Sequence, residues 1–261
     1  MKFADFIKEA SLKNRSRIIL ALDLSALPGN PLFEELEEKA KEVLNATAPY
    51  ICAVKINMQL LLPLGLYSGV KRIIDETHSK GLPIIMDCKL SDVGHTNKWA
   101  AKHYFNAGFD AMIVNPLVGW SGGLESVFEV AEEYDGRGVI LLVYTSHKAA
   151  PESYELEVKD PVDGRFKPLF EIFARRALEW NASGVIVGGT YPDKVRYIHS
   201  ILEGKVPIYS PGIGAQGGVI DECLKAGSSF FIIGRSIYLS SNPGEAARRF
   251  RDLSWTINET S

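Results

Sequence analysis

The chain has 261 residues, 46% hydrophobic and 23% charged, with 23 glycines and 13 prolines, a balance that fits a well-packed globule and excludes a disordered chain. Its 29 Lys and Arg against 32 Asp and Glu leave a net charge of −3, without a basic run suited to nucleic acid or an anionic membrane surface. The three cysteines, Cys52, Cys88 and Cys223, lie far apart with no C-x-x-C spacing, which points to a reducing, cytoplasmic setting rather than a disulfide framework.

Residues 1–16 form a charged amphipathic start without the apolar core of an export signal, and no later stretch is apolar for long enough to span a bilayer. From there, short β-branched runs alternate with longer stretches of helical apolar spacing. Strands are predicted at 17–23 (RIILALD), 50–56 (YICAVKI), 83–89 (PIIMDCK), 110–115 (DAMIVN), 138–145 (GVILLVYT), 184–188 (GVIVG), 206–210 (VPIYS) and 229–234 (SFFIIG). Between them, LFEELEEKAKEVL, GLESVFEVAEEY and LFEIFARRALEW place apolar residues at three- and four-residue intervals, which predicts helices. Strands this continuously apolar are expected where both faces are covered. Eight β/α alternations then predict one α/β domain over 1–261, a (β/α)8 TIM barrel, with an open doubly wound sheet as the lesser alternative.

The connection over 147–168, rich in charge, Pro and Gly, is expected to be an irregular insertion in the fifth βα loop, serving as a lid or as decoration. Barrels of this kind build their sites at the carboxyl ends of the strands, so polar residues there carry the weight. Those ends offer Asp23, Lys55, the run Asp87-Cys88-Lys89-Leu90-Ser91-Asp92, Thr145-Ser146 and Gly234-Arg235. Strand alternation aims Asp87 and Lys89 at the barrel axis and Cys88 at the helix layer, as packing rather than nucleophile. A plain salt bridge accounts for Asp87 and Lys89 alone, but Lys55 adds a second cation at a neighbouring strand end. Charges gathered in a partly desolvated site are costly unless networked, and such networks concentrate at functional sites.

After the seventh strand, Pro211-Gly212-Ile213-Gly214-Ala215-Gln216-Gly217-Gly218 lets the backbone turn tightly and aim N–H groups at an anion, with Arg235 delivered beside it. That position is the usual phosphate site of these barrels, and a guanidinium grips phosphate with two prongs. His78, His95, His103, His147 and His199 share no metal-ligand spacing, so no metal is expected. Trp99, Trp120, Trp180 and Trp255 read as core or helix-packing residues.

With these residues placed, the chain resembles the orotidine 5′-monophosphate decarboxylase family, in its archaeal and bacterial forms, nearly end to end. The resemblance is carried by LALD ending at Asp23, VKI around Lys55, DCKLSDVGHT from Asp87 to Thr96 with the Met86 before it, Thr145-Ser146-His147, SPGIGAQGG around Gln216 and IIGRSIY around Arg235. It implies a cofactor-free, metal-free decarboxylation that makes uridine monophosphate in pyrimidine synthesis, through an array of Lys55, Asp87, Lys89 and Asp92. By the same resemblance the active unit is a homodimer, with Asp92 and Thr96 supplied across its interface. Lys89 would protonate C6 of the pyrimidine and Asp87 would face the departing carboxylate. Asp23, Lys55 and Thr96 would bind the ribose, and Ser146 the base. Pro211, Gly214, Gln216, Gly217, Gly234 and Arg235 would surround the phosphate. The chain departs from the family pattern at Asn115-Pro116, where related sequences often carry His-Gly, and in its long fifth loop.

Two other readings share some of these residues. Magnesium-dependent 3-keto-gulonate 6-phosphate decarboxylases and hexulose-phosphate synthases carry D-x-K-x-x-D, but with an acidic residue where Lys55 stands, and hard magnesium prefers carboxylate to an ammonium neighbour. A silent nucleotide-binding barrel would have no need of the full charged array.

Overall fold

In the computed structural model, which describes residues 1–256, ten strands and twelve α-helices follow the predicted alternation. The strands are β1 (Ile18–Ala21), β2 (Ala53–Asn57), β3 (Ile84–Leu90), β4 (Ala111–Val114), β5 (Gly138–Tyr144), β6 (Glu157–Lys159), β7 (Phe166–Pro168), β8 (Gly184–Val187), β9 (Ile208–Pro211) and β10 (Phe230–Ile233). The helices are α1 (Phe3–Asn14), α2 (Pro31–Thr47), α3 (Met58–Leu64), α4 (Val70–Ser79), α5 (Gly94–Ala107), α6 (Glu125–Glu133), α7 (Ala150–Tyr154), α8 (Leu169–Glu179), α9 (Pro192–Leu202), α10 (Ile220–Ala226), α11 (Arg235–Tyr238) and α12 (Pro243–Thr256). Eight strands close into a parallel barrel in the order β1-β10-β9-β8-β5-β4-β3-β2, and each coincides with a predicted one. The open doubly wound sheet is thereby set aside.

Strand alternation sorts the core into two compartments. Ile18, Leu20, Val54, Ile56, Ile84 and Met86 face the helices, whereas Ile19, Ala21, Ala53, Ile85, Ala111, Ile113, Ile140, Leu142 and Ile186 fill the barrel. Helix α1 closes the bottom with Phe3 and Ile7, both buried. The Phe3 ring lies over Gly138, where a Cβ would come within 2.3 Å of it, so the first residue of β5 leaves room for the plug. Burying such a ring stabilises by about 2–3 kcal/mol.

The 147–168 insertion differs from the irregular loop expected. It forms α7 and an antiparallel hairpin pairing Glu157 with Pro168 and Lys159 with Phe166. The polar residues that read as irregular are turn chemistry: Val162 N–H donates to Asp160 and Arg165 N–H to Asp163, while Lys167 bridges both carboxylates at 2.6 Å. Below the hairpin, Glu155 accepts from Tyr144 at 2.7 Å and pairs with Lys194 at 2.8 Å, tying the insertion to β5 and α9.

A second correction concerns the tryptophans. Trp120 and Trp180 pack together with ring centroids 5.2 Å apart. Trp99, in contrast, is 56% exposed on α5, beside His103, which in turn meets Tyr67. Trp99 was expected in the core or in helix packing, yet no described element covers it.

Candidate active site

Inward parity continues past the apolar filling of the barrel, and one layer higher it delivers charge. Asp23 follows Ile19 and Ala21, Lys55 follows Ala53, and Asp87 follows Ile85. Lys55 Nζ donates to Asp23 Oδ1 at 3.0 Å and to Asp87 Oδ2 at 2.9 Å. Asp87 Oδ1 accepts from Lys89 Nζ at 2.7 Å, so each oxygen of Asp87 holds one ammonium. The result is a continuous Asp23-Lys55-Asp87-Lys89 chain, graded from a Lys55 side chain only 5% exposed to a Lys89 side chain 50% exposed.

The electrostatics follow from that packing. Burial alone would drive Lys55 toward its neutral form, but the charges of Asp87 and Asp23 outweigh it and hold the ammonium above its ordinary value. Burial likewise pushes the Asp87 carboxyl up, and the opposing pull of Lys55 and Lys89 leaves it below the usual carboxylate range. Both groups therefore stay ionised in a site where an isolated charge would be expensive.

Lys89 reaches Asp87 by a route that simple alternation does not describe. The ladder to β4 shifts register between Asp87 and Leu90, and Lys89 adopts a left-handed backbone with φ of 49°. A non-glycine residue there costs about 1–2 kcal/mol, and such strain gathers where the surroundings over-determine a functional conformation. Cys88 packs against the helix-side core as expected, and burial pushes its thiol up to about 12.

Above the charged chain opens a cavity of about 530 Å³, lined by Asp23, Lys55, Asp87, Lys89, Ser146, Pro211, Gln216, Gly234 and Arg235 among others. At its far side the 212–218 loop turns through Gly212, Gly214 and Gly217 at φ of 88°, 75° and 96°. A methyl at Gly212 would stand 2.8 Å from Ser146 Cβ and 3.2 Å from Gln216 Oε1, which places those two polar side chains side by side over bare backbone. The Arg235 guanidinium forms no ion pair or hydrogen bond with another described residue, leaving its donors available to an anion.

Four predicted residues do not line this cavity: Gly214, Gly217, Asp92 and Thr96. The two glycines shape the loop from its exposed tip. Asp92 is exposed on the turn after β3 and Thr96 in the first turn of α5; buried Asn97 pins that turn by accepting from Asp92 N–H at 3.1 Å and donating to the Gly123 carbonyl at 3.0 Å. Asn57, Gln59, His147 and Tyr238 also line the cavity. Asn57 was legible, since it stands two residues beyond Lys55 at the same parity; Tyr238 sits one helical turn after Arg235, and only its place in IIGRSIY could have pointed to it.

A closed parallel barrel, a balanced cluster of lysines and carboxylates at its mouth and a glycine-rich loop facing a free guanidinium together define a (β/α)8-barrel enzyme acting on an anionic small molecule. Residues 16–250 match the model of the Orotidine 5′-phosphate decarboxylase / HUMPS family, and the chain belongs to that family. It is 38% identical over 234 residues to an orotidine 5′-phosphate decarboxylase of Thermococcus kodakarensis, spanning 90% of this chain and 94% of that one. The corresponding Pyrococcus abyssi protein is 37% identical over 90% of this chain and 97% of its own length. Among solved structures, the Methanocaldococcus jannaschii orotidine 5′-monophosphate decarboxylase complexed with the inhibitor BMP superposes with a TM-score of 0.76 at 25% identity, covering 91% of this chain and 98% of that one.

Proposed function

We propose that this chain decarboxylates orotidine 5′-monophosphate to uridine 5′-monophosphate and CO₂, without a metal or organic cofactor. The observation that carries the reading is the Asp23-Lys55-Asp87-Lys89 chain lining one cavity with Arg235, a guanidinium that no other described residue pairs. Family membership and the named relatives support the same substrate.

In this reading the C6–carboxylate bond breaks, its electron pair remains on C6 and CO₂ leaves. The Lys89 ammonium stabilises that charge as it develops and then transfers a proton to C6; solvent later restores the lysine. A fixed ammonium in a low-dielectric cleft is effective because it needs no reorganisation as the charge appears. Asp87 holds both ammonium groups in place and faces the departing carboxylate. Asp23 and Lys55 bind ribose hydroxyls, Ser146 reads the base, and Arg235 with Gln216 grips the phosphate, whose remote binding energy helps close the site.

Asp92 and Thr96 enter from a second copy. They stand on an exposed face with Val93, Trp99 and Tyr67, which are 61%, 56% and 54% exposed. A homodimer burying that face would bring Asp92 of the partner subunit toward Lys89 and complete the array. The cytoplasm is the compartment that suits free Cys52, Cys88 and Cys223.

The test is the absorbance change on adding orotidine 5′-monophosphate in the presence of a chelator. Turnover is expected. Absence of turnover with intact nucleotide binding would mean a silent binder, and turnover that needs magnesium would favour the metal-dependent branch of the family.

A further inference from the structure

The tip of the 212–218 loop is poorly tethered. Residues 214–217 are exposed, and the loop's own bonds run from Gly214 N–H to Gly218 and from Gly217 N–H to Gly214. Among the described residues, one hydrogen bond leaves this tip for another element: Ala215 N–H donates to Ser236 Oγ at 2.9 Å. Ser236 follows Arg235 in the single turn of α11, so adjacent residues send one side chain into the cavity and the other to the loop. Gly214 fits against the same hydroxyl, since a Cβ there would stand 2.6 Å from Ser236 Oγ and 3.3 Å from Ser236 Cβ.

We propose that Ser236 is a positioning residue for the phosphate grip, a latch that fixes the 214–217 tip relative to Arg235. It does not line the cavity. Its effect is to set the loop's N–H groups and the guanidinium at one fixed separation before the anion arrives. Ordering the loop in advance removes that entropy from binding, which is how preorganisation raises affinity. The proposal rests on the phosphate reading above, and it accounts for serine at a position that phosphate contact alone leaves unconstrained.

The test compares wild type with Ser236→Ala, using thermal unfolding to confirm that both are folded. Loss of one hydrogen bond is expected to weaken inorganic phosphate binding, measured by calorimetry, and to raise KM for orotidine 5′-monophosphate, each by about three- to tenfold. Turnover at saturation should change by less than about twofold. Decarboxylation of orotidine, which lacks the phosphate, should be unaffected. Unchanged phosphate affinity and KM in Ser236→Ala would overturn the latch, as would an equal loss on orotidine, which indicates general damage. If wild type binds phosphate but does not turn over the nucleotide, the decarboxylase reading fails while the phosphate measurement still decides the latch.

Discussion

Lys89 Nζ stands 2.7 Å from Asp87 Oδ1, although the two residues belong to a strand whose regular ladder has already broken between them. The bulge and the left-handed backbone at Lys89 bring the ammonium back over the carboxylate and leave it half exposed to the cavity. Lys55, held by Asp23 and Asp87 and almost fully buried, has no such freedom. In the proposed mechanism the lysine that meets the reacting carbon is therefore Lys89.

Removal of that ammonium by Lys89→Ala is expected to lower kcat by about a thousandfold or more, in the range assigned to a lost general acid and electrostatic stabiliser. Uridine monophosphate should still bind, because Arg235 and the glycine loop lie at the other end of the cavity. Kinetics by absorbance and calorimetry with the product check the two halves separately. Turnover near wild type would remove Lys89 from the mechanism.

The barrel and the Asp23, Lys55 and Asp87 positions were legible because the pattern behind them is local: apolar alternation that ends in a charged residue at the strand's carboxyl end. The geometry at Lys89 was not, because alternation predicts a regular strand and only the pairing with β4 forces the bulge. The hairpin at 157–168 was hidden for a different reason. Its strands are three residues each, too short for a period to appear, and Asp160, Asp163 and Gly164 signal a turn only when the flanking residues are known to pair. Exposed Trp99 was misread since helical spacing cannot tell a face that the chain covers from one that it leaves open.

Asp87 couples the site to stability. Because its carboxyl sits below the usual range when folded, the charged form is favoured by folding. Its contribution is complete above the unfolded value of about 4 and disappears as pH falls through the lower folded value. Asp87→Asn, which leaves Lys55 with one carboxylate partner and Lys89 with none, should cost on the order of 3 kcal/mol at pH 7. The gap to wild type should narrow below about pH 4. Denaturant unfolding across pH measures it. A gap independent of pH would show that the charge on Asp87 is not what the fold depends on.

Arg235→Ala tests the opposite end of the cavity. A charge-assisted hydrogen bond contributes about 1.5–3 kcal/mol, so uridine monophosphate affinity should fall by roughly ten- to a hundredfold. Affinity for uridine, which offers no phosphate, should be unaffected. Among the described residues the guanidinium has no partner to strand, so the unfolding midpoint should shift little. Calorimetry with the two ligands separates phosphate recognition from a general disturbance of the cavity, and equal losses on both would count against the assignment.

Whether the site is shared between two subunits can be tested by mixing two variants that are each expected to be inactive, Lys89→Ala and Asp92→Ala. If Asp92 serves the cavity of its neighbour, a mixed dimer places both substitutions in one site and leaves the other intact. Random reassociation of equal amounts makes half the dimers mixed, each with one working site of two, so activity should return to about a quarter of wild type. The physical basis is visible in one chain. Asp92 is exposed, lies outside the cavity of its own barrel and is held on a turn pinned by Asn97, next to Val93 and Trp99. If Asp92 instead swung into its own site, each subunit of the mixed dimer would carry one defect, and mixing would restore nothing. Sedimentation of the same samples reports whether mixed dimers formed, which separates failure to exchange from failure to complement.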